Sequence, residues 1–499
     1  MTLPLDLHRA AQVRALDASA IAAGTPGIVL MERAARAALQ VLQEEWPGAR
    51  HVTVVCGAGN NGGDGYFLAA LACRAGLEVC LLDAAPGASL RGDAALAAAQ
   101  ARACGLVSRP FTAALLAGAD VVVDAVLGIG TTGTVRADTR AVIDAINAAG
   151  RPVLSLDLPS GLEPDHGAGE VVVRATATVC FVALKAGLFL GQGPEVAGRL
   201  RFDALGIDSD GGMPWLRRLA PRCIAEALPP RRREAHKGET GSVLVVGGGT
   251  GMPGAVALAA EAALRVGAGR VTVASLPEHL PVVVGRRPEL MFAALPADDA
   301  GNLRRRLTPA VAAAEVLVLG PGLGRQDWGR QVMETVLALR RPGQPLVVDA
   351  DGLYWLATQA LPVDAEGLVL TPHPGEAARL LGSTSGGVQA DRRAALQALL
   401  AAHRGIVVLK GAGTLVGGGP DPVPALCDRG NPGMAVAGMG DVLAGAVAGI
   451  LAQGCPPRRA AEAAVLAHAL AGDLLAGRGQ RGLLAGDLAL ALTDAVNQP

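Results

Sequence analysis

HVTVVCGAGNNGGDGYFLAALACR, residues 51–74, decides the fold class. The first six residues, HVTVVC, four of them apolar and four β-branched, read as a buried strand. The Gly-rich segment 57–65 follows as a tight loop, and an apolar Ala/Leu-rich helix begins near Tyr66. Strand, glycine turn and helix in that order form the unit of a parallel α/β sheet, whose turn brings backbone N–H groups close to a ligand. GAGNNG matches the dinucleotide-turn spacing GxGxxG, a weak signal alone. Its polar load is unusual: Asn60, Asn61 and Asp64 add side-chain oxygens to the amides.

Outward from this segment the rhythm repeats. Strands are predicted at 77–82, 120–125, 152–157 and 177–184, with two helices, 8–23 and 27–45, before the first strand. Ser209 to Arg233, rich in Pro, Gly and Arg, interrupts it as a boundary. Strands then resume at 242–247, 270–274, 316–320, 345–349, 367–371 and 405–410, and a long helical region runs from about Gly440. The fold class predicted is α/β, with two tandem domains over 1–222 and 223–499. A chain of 499 residues is long enough for two cores.

Composition narrows the function. Hydrophobic residues are 51%, charged residues 18% and the net charge is −1, which excludes a disordered chain and a polycation gripping nucleic acid. Aromatics at 2% leave no base-stacking platform. Mean hydropathy is +0.37, yet the longest uncharged run, Thr240 to Ala260, carries six glycines and Pro253 and makes a poor membrane span. Charges at Asp6, Arg9, Arg14 and Asp17 argue against a signal peptide, so the expected address is cytoplasmic. The eight cysteines show no CxxC and no disulfide framework. Only three of the 44 basic residues are lysine: Lys185, Lys237 and Lys410, each in a Gly-containing motif, LKAGL, HKGETG and LKGAG. A compact ammonium is either required there or survives by chance.

In open parallel sheets ligands gather at strand carboxyl ends. Besides Asn60 to Asp64, the first half offers Asp124 before a second Gly-rich loop (Gly128 to Gly133), Asp157 before Pro159-Ser160-Gly161, and Lys185. Asn61, Asp124 and Ser160 present oxygens suited to a hard cation, leaving Asp157 for proton transfer. The competing reading makes each aspartate a helix cap. In the second half, GMGD (438–441) opens a long apolar helix, setting free N–H groups beside Asp441. That suits phosphoryl transfer with Asp441 as proton acceptor, or Asp441 is a plain N-cap. A lone histidine is more often structural, but His373, held between Pro372 and Pro374 at a strand end, is a candidate for orienting a substrate. Lys410 to Thr414 reads as a phosphate or nucleotide loop, though not a Walker P-loop. Asp349 and Asp351 either carry magnesium indirectly or cap a helix.

CGAGNNGGDGYFLA, DAVLGIG, SLDLPSGL and FVALKAGL resemble the signatures of the NAD(P)H-hydrate epimerase (YjeF N-terminal) family over roughly residues 8–205. HKGETG, GPGLG, DADGL, TPHPGE, LKGAGT and NPGMAVAGMGDVLAG resemble, in order, the NAD(P)H-hydrate dehydratase (YjeF C-terminal) family of the ribokinase-like superfamily, over roughly 226–495. The resemblance implies a Rossmann-like three-layer first domain that interconverts the R and S epimers of hydrated NADH or NADPH. It implies a ribokinase-like second domain that converts the S form to NAD(P)H, with ADP becoming AMP and phosphate. By that resemblance Asn60, Asn61, Gly62, Gly63 and Asp64, with Gly128, Ile129, Gly130, Thr131, Thr132, Gly133 and Thr134, bind the hydrate, and Asp157 contacts it. Asn61, Asp124 and Ser160 hold potassium. Ala255, Gly322 or Gly324, His373 and Asp441 contact the hydrate in the second domain. Lys410, Gly411, Ala412, Gly413, Thr414 and Gly440 contact the nucleotide. Ile129 with Thr131-Thr132 departs from the family's more usual residues. Magnesium is expected with the nucleotide, and the chain is expected to be a homo-oligomer with small-molecule partners, no nucleic acid and no membrane. The rival is a ribokinase-like small-molecule kinase with a regulatory first module.

Overall fold

The structure, a computed structural model, describes residues 3–130, 134–208, 212–297, 300–359, 361, 363–477 and 479–497. The chain forms two compact units, Met1–Leu216 and Arg217–Pro499. The division falls earlier than residue 222 because Arg217 and Arg218 pair with Ala425 and Leu426 and so belong to the second unit's sheet.

The first unit is built on seven parallel strands: β1 (His51–Cys56), β2 (Glu78–Asp83), β3 (Arg109–Pro110), β4 (Val121–Ala125), β5 (Val153–Leu156), β6 (Ala177–Phe181) and β7 (Arg199–Asp203), in the order β3-β2-β1-β4-β5-β6-β7. Alternate side chains feed two cores. Val54 and Val123 pack on one face with helices α1 (Ala10–Ala22), α2 (Gly27–Glu45), α3 (Asn60–Arg74) and α4 (Gly92–Ala103). Val55 and Val122 pack on the other with α5 (Ala137–Ala148). Strands buried on both faces explain their near-continuous apolar runs. The helix expected from Tyr66 begins at Asn60, so the Asn-Asn-Gly-Gly-Asp segment is its first turn rather than a loop. Gly59, extended at φ −92°, starts it. A short parallel ladder that is not part of this seven-stranded sheet pairs Leu7 and His8 with Leu184 and Lys185.

The second unit repeats the logic with β8 (Ser242–Val246), β9 (Arg270–Ser275), β10 (Met291–Ala294), β11 (Val316–Leu319), β12 (Leu346–Val348), β13 (Leu368–Leu370), β14 (Ile406–Leu409), β15 (Thr414–Gly417) and β16 (Ala425–Cys427). The order is β10-β9-β8-β11-β12-β13-β14-β15-β16, and Arg217 and Arg218 pair in parallel with β16 at its far side. Only the β14–β15 and β15–β16 pairs are antiparallel. One face is covered by α6 (Pro253–Arg265), α9 (Met439–Ala452), α10 (Pro457–Ala476) and α11 (Ala485–Asn497). Two further helices, α7 (Pro374–Leu381) and α8 (Arg392–His403), flank the β13 and β14 ends. α6 and α9 meet through small residues. A Cβ on Gly445 would lie 1.9 Å from the Ala259 carbonyl oxygen, so glycine sets the approach. Among the described residues no helix is long and apolar enough to cross a membrane.

Candidate active sites

In the first unit the carboxyl ends of β1, β4, β5 and β6 surround a cavity of about 550 Å³. Asp157 stands at its floor with φ 65°, the centre of a γ-turn closed by Leu158 N–H donating to Leu156 O at 2.8 Å. Beside it Val182, at φ 66°, centres a second γ-turn, with Ala183 N–H donating to Phe181 O at 2.8 Å. Left-handed backbone is costly for Asp and more so for a β-branched residue, and such turns are rare. Strain stored at two adjacent strand ends is how this sheet turns the Asp157 carboxylate toward the cavity. Its Oδ1 accepts the Phe181 N–H (3.2 Å) and pairs with Lys185 Nζ. Lys185 is 1% exposed and also donates to Phe181 O at 2.8 Å and toward Cys180 Sγ at 3.6 Å. Burial, the largest single influence, pulls the Lys185 pKa down, but the charges and hydrogen bonds of Asp157 and Cys180 together outweigh it and leave it raised. Burial, then Asp157 and Asp17, pushes Asp64 well above the usual carboxylate range. Asp17 is raised too, by burial first. The floor is thus three acids sharing one ammonium.

Asn60, Asn61, Asp64, Gly128, Ile129, Gly130 and Asp157 line this cavity. Gly62 and Gly63 do not. Their missing side chains instead admit the Gly57 carbonyl (1.9 Å from a Cβ at 62) and Met31 (2.5 Å from a Cβ at 63). Thr134 is exposed and off the lining, and Thr131, Thr132 and Gly133 lie outside the described residues. Below the cavity Asp124 is wholly buried and accepts from Ser155 Oγ (2.8 Å), Ser160 N–H (2.9 Å) and Ser160 Oγ (2.5 Å). Burial raises its pKa and these hydrogen bonds oppose the rise. Asn61 donates through Nδ2 to Leu127 O at 2.9 Å, while its Oδ1 is buried with no hydrogen-bond partner. A buried orphaned amide oxygen, a buried carboxylate and a serine hydroxyl make an oxygen donor set that fits a monovalent cation. Asp17, on α1, escaped sequence reading, since nothing in a helix pattern marks one acid as cavity-facing. So did Arg14, whose guanidinium donates to Ile129 O at 3.0 Å.

In the second unit the carboxyl ends of β8, β11, β12, β13 and β14 converge. Lys410 Nζ pairs with Asp349 Oδ1 at 2.6 Å and lies 3.9 Å from Glu376 Oε2. A Cβ on Gly440 would sit 3.1 Å from that ammonium and 3.4 Å from Asp349 Oδ2, so the start of α9 presses against the pair. Asp441, in the first turn of α9, carries no side-chain cap bond; burial, then the Asp349 charge, pushes it up to about 7. Glu376 is pushed up to about 7, again by burial first. His373 caps α7. Its Nδ1 accepts from Gly375 N–H (3.0 Å) and Glu376 N–H (3.4 Å), and the Glu376 carboxylate accepts His373 N–H (2.8 Å). This capping box leaves Nε2 to carry the proton, and burial followed by Lys410 lowers the ring's pKa. Gly322, at φ 56°, lets the 320–325 loop meet Met252 and Ala255 (2.9 and 3.0 Å from a Cβ there). Asp351 fixes that loop through Gly324 N–H (3.0 Å) and Arg325 Nε (3.0 Å). Among the described residues no three His, Cys, Asp or Glu side chains form a metal cage. Asp349 is paired with Lys410 and Asp351 with the Gly324 N–H and Arg325. Sequence reading passed over Glu376, although the TPHPGE spacing is a capping-box signature. It also passed over the Asp349–Lys410 pair, which joins residues 61 apart.

Both units are parallel α/β folds with acid–base groups and free amides at strand ends, which is the class of nucleotide-handling enzymes. Residues 243–494 match the NAD(P)H-hydrate dehydratase family, and residues 27–187 match the YjeF-related protein N-terminus. The bifunctional NAD(P)H-hydrate repair enzyme Nnr of Coxiella burnetii is 45% identical over 97% of this chain and 97% of its own. The enzyme of that name from Escherichia coli is 41% identical over 94% and 89%. A ribokinase-like superfamily protein of Enterococcus faecalis, 29% identical, covers 58% of this chain and 98% of its own with a TM-score of 0.53. The chain belongs to the family of bifunctional NAD(P)H-hydrate repair enzymes.

Proposed function

We propose that the first unit interconverts the R and S epimers of hydrated NADH and NADPH, and that the second returns the S form to NAD(P)H at the expense of ADP. The observation that carries the first half is the strained Asp157–Lys185 pair at the floor of the cavity. Asp157 works at the carbon bearing the hydroxyl, beside Asp64, whose carboxyl burial pushes well above the usual range. Asn61, Asp124 and Ser160 would hold potassium, whose charge balances the buried Asp124 and pins the 126–128 segment.

In the second unit Asp441 accepts the proton of the hydrate's hydroxyl as its oxygen attacks the terminal phosphorus of ADP, and AMP leaves. The phosphate then departs with its oxygen as the adjacent ring carbon loses a proton, restoring the double bond. A base with a pKa near 7 matches the working pH. The N–H groups opening α9 face the transferred group, His373 and the 322–324 loop hold the hydrate, and the 410–414 loop holds the nucleotide. Magnesium would enter with the nucleotide phosphates. A cytoplasmic address and a homo-oligomer complete the reading.

The test is NADH hydrate containing both epimers, with ADP, magnesium and potassium, followed by the return of reduced-nicotinamide absorbance. Complete return supports both assignments. A halt partway, relieved by an added epimerase, sinks the reading of the first unit. No return, or accumulation of a stable phosphorylated product, favours the small-molecule kinase.

A further inference from the structure

Arg392, the first residue of α8, is 4% exposed and has no carboxylate partner among the described residues. Its Nη1 donates to Gln389 Oε1 (2.5 Å). Its Nη2 donates to three carbonyls of one loop, Leu409 (3.0 Å), Lys410 (3.2 Å) and Gly413 (3.3 Å). Nε is buried with no partner. Burial alone pulls the guanidinium down to about 10. A buried cation held only by neutral oxygens is expensive, and proteins keep one where something compensates it.

What lies over it is the 410–414 loop. Gly411 has φ 134°, and a Cβ there would sit 3.1 Å from Arg392 Nη1, so the backbone rests directly on the guanidinium. With the Lys410 and Gly413 carbonyls turned inward to Arg392, the loop's amides are free to face outward. Among the described residues the N–H groups of Gly411, Ala412 and Gly413 donate to no protein acceptor. Consecutive free amides over a positive charge form an anion cradle. Lys410, the obvious cation, is already paired with Asp349, so it cannot supply that charge in full.

We infer that Arg392 is the uncompensated charge that fixes the nucleotide's phosphate on the 410–414 loop, acting through the loop backbone as a positioning residue. The inference rests on the reading that this loop holds the nucleotide. It specifies which part of the nucleotide the loop takes, and it makes Arg392 a determinant of affinity for charged nucleotides over adenosine.

The experiment uses the full chain and compares wild type with Arg392→Lys and Arg392→Gln. ADP, AMP and adenosine binding are titrated at two salt concentrations, with KM and kcat measured for ADP and for the S hydrate. Removing the charge is expected to raise KM for ADP at least about ten-fold with KM for the hydrate unchanged. Adenosine binding should not move, and Arg392→Lys should retain more ADP affinity than Arg392→Gln. Equal losses for ADP and adenosine, or equal rises in both KM values, would make Arg392 a scaffold residue and overturn the inference. Amide exchange of the wild type with and without ADP separates the two claims. If bound ADP leaves residues 411–413 unprotected, the loop reading itself fails. If it protects them while both variants bind ADP as wild type does, only the role of Arg392 fails.

Discussion

Asp441 and Asp157 are both short carboxylates beside a lysine, yet their surroundings prepare them for different work. Burial holds Asp441 near 7, so as base it becomes competent only as pH climbs through neutrality. Dehydratase kcat/KM is therefore expected to rise through about pH 7, and Asp441→Asn to lower it by roughly 10²–10⁴-fold while epimerisation persists. The sign for stability is opposite. A carboxyl raised in the fold favours the protonated native state, so its stabilisation is complete below the usual carboxylate range and is lost as pH rises through about 7. Glu376 adds to the same window. Thermal melts of the ligand-free chain between pH 5 and 8 (an experimental range bracketing that midpoint) should show the second unit's transition fall, less steeply in Asp441→Asn. At Asp157 the prediction concerns pairing. Lys185→Met leaves its carboxylate buried without the ammonium, and about 3 kcal/mol of stability should be lost along with epimerase activity, read by denaturant unfolding. Asp157, Asp441 and His373 were legible in the sequence because each follows a strand or opens a helix. Asp17 and Arg392 were not, because only tertiary packing brings a helix-borne side chain to a strand end.

Among elements, the α6–α9 contact shows how composition becomes geometry. Gly445 and Gly449 leave room for the Ala259 and Ala263 carbonyls, so two Ala-rich helices pack backbone to backbone and bring the amino end of α9 to the site. Gly445→Ala is expected to cost about 1–3 kcal/mol by overpacking. Thermal unfolding should then show the second unit's transition lowered and the first unit's unchanged. The parallel strands that were expected were readable as β-branched runs, and their observed ends fall within a residue or so of those expected, apart from 177–184; the parallel edge strands β3, β7 and β10 were not anticipated. There the chain breaks at Val182, where a β-branched residue takes a positive φ that no propensity anticipates. β15 and β16 escaped notice because they are four and three residues long and follow Gly- and Pro-rich stretches. The Asn60 to Asp64 segment was misread as loop because two adjacent glycines argue against helix. Here close approach to Gly57 and Met31 demands them.

Across the whole molecule, two chemistries are carried by separate compact units, so each should be removable without the other. Replacing potassium with tetramethylammonium is expected to slow epimerisation while dehydration of the purified S hydrate keeps its rate, measured by absorbance return. The Asp124 donor set belongs to the first unit. The same division makes the scarcity of lysine useful. Of the three, Lys185 is sealed beneath the first cavity and Lys410 is held against Asp349, whereas Lys237 stands on the surface. A protease that cuts only after lysine therefore meets one accessible bond in the native chain and should yield fragments 1–237 and 238–499. Cuts at 185 or 410 would appear only when the corresponding site opens, which turns limited digestion into a separate clock for the breathing of each active site.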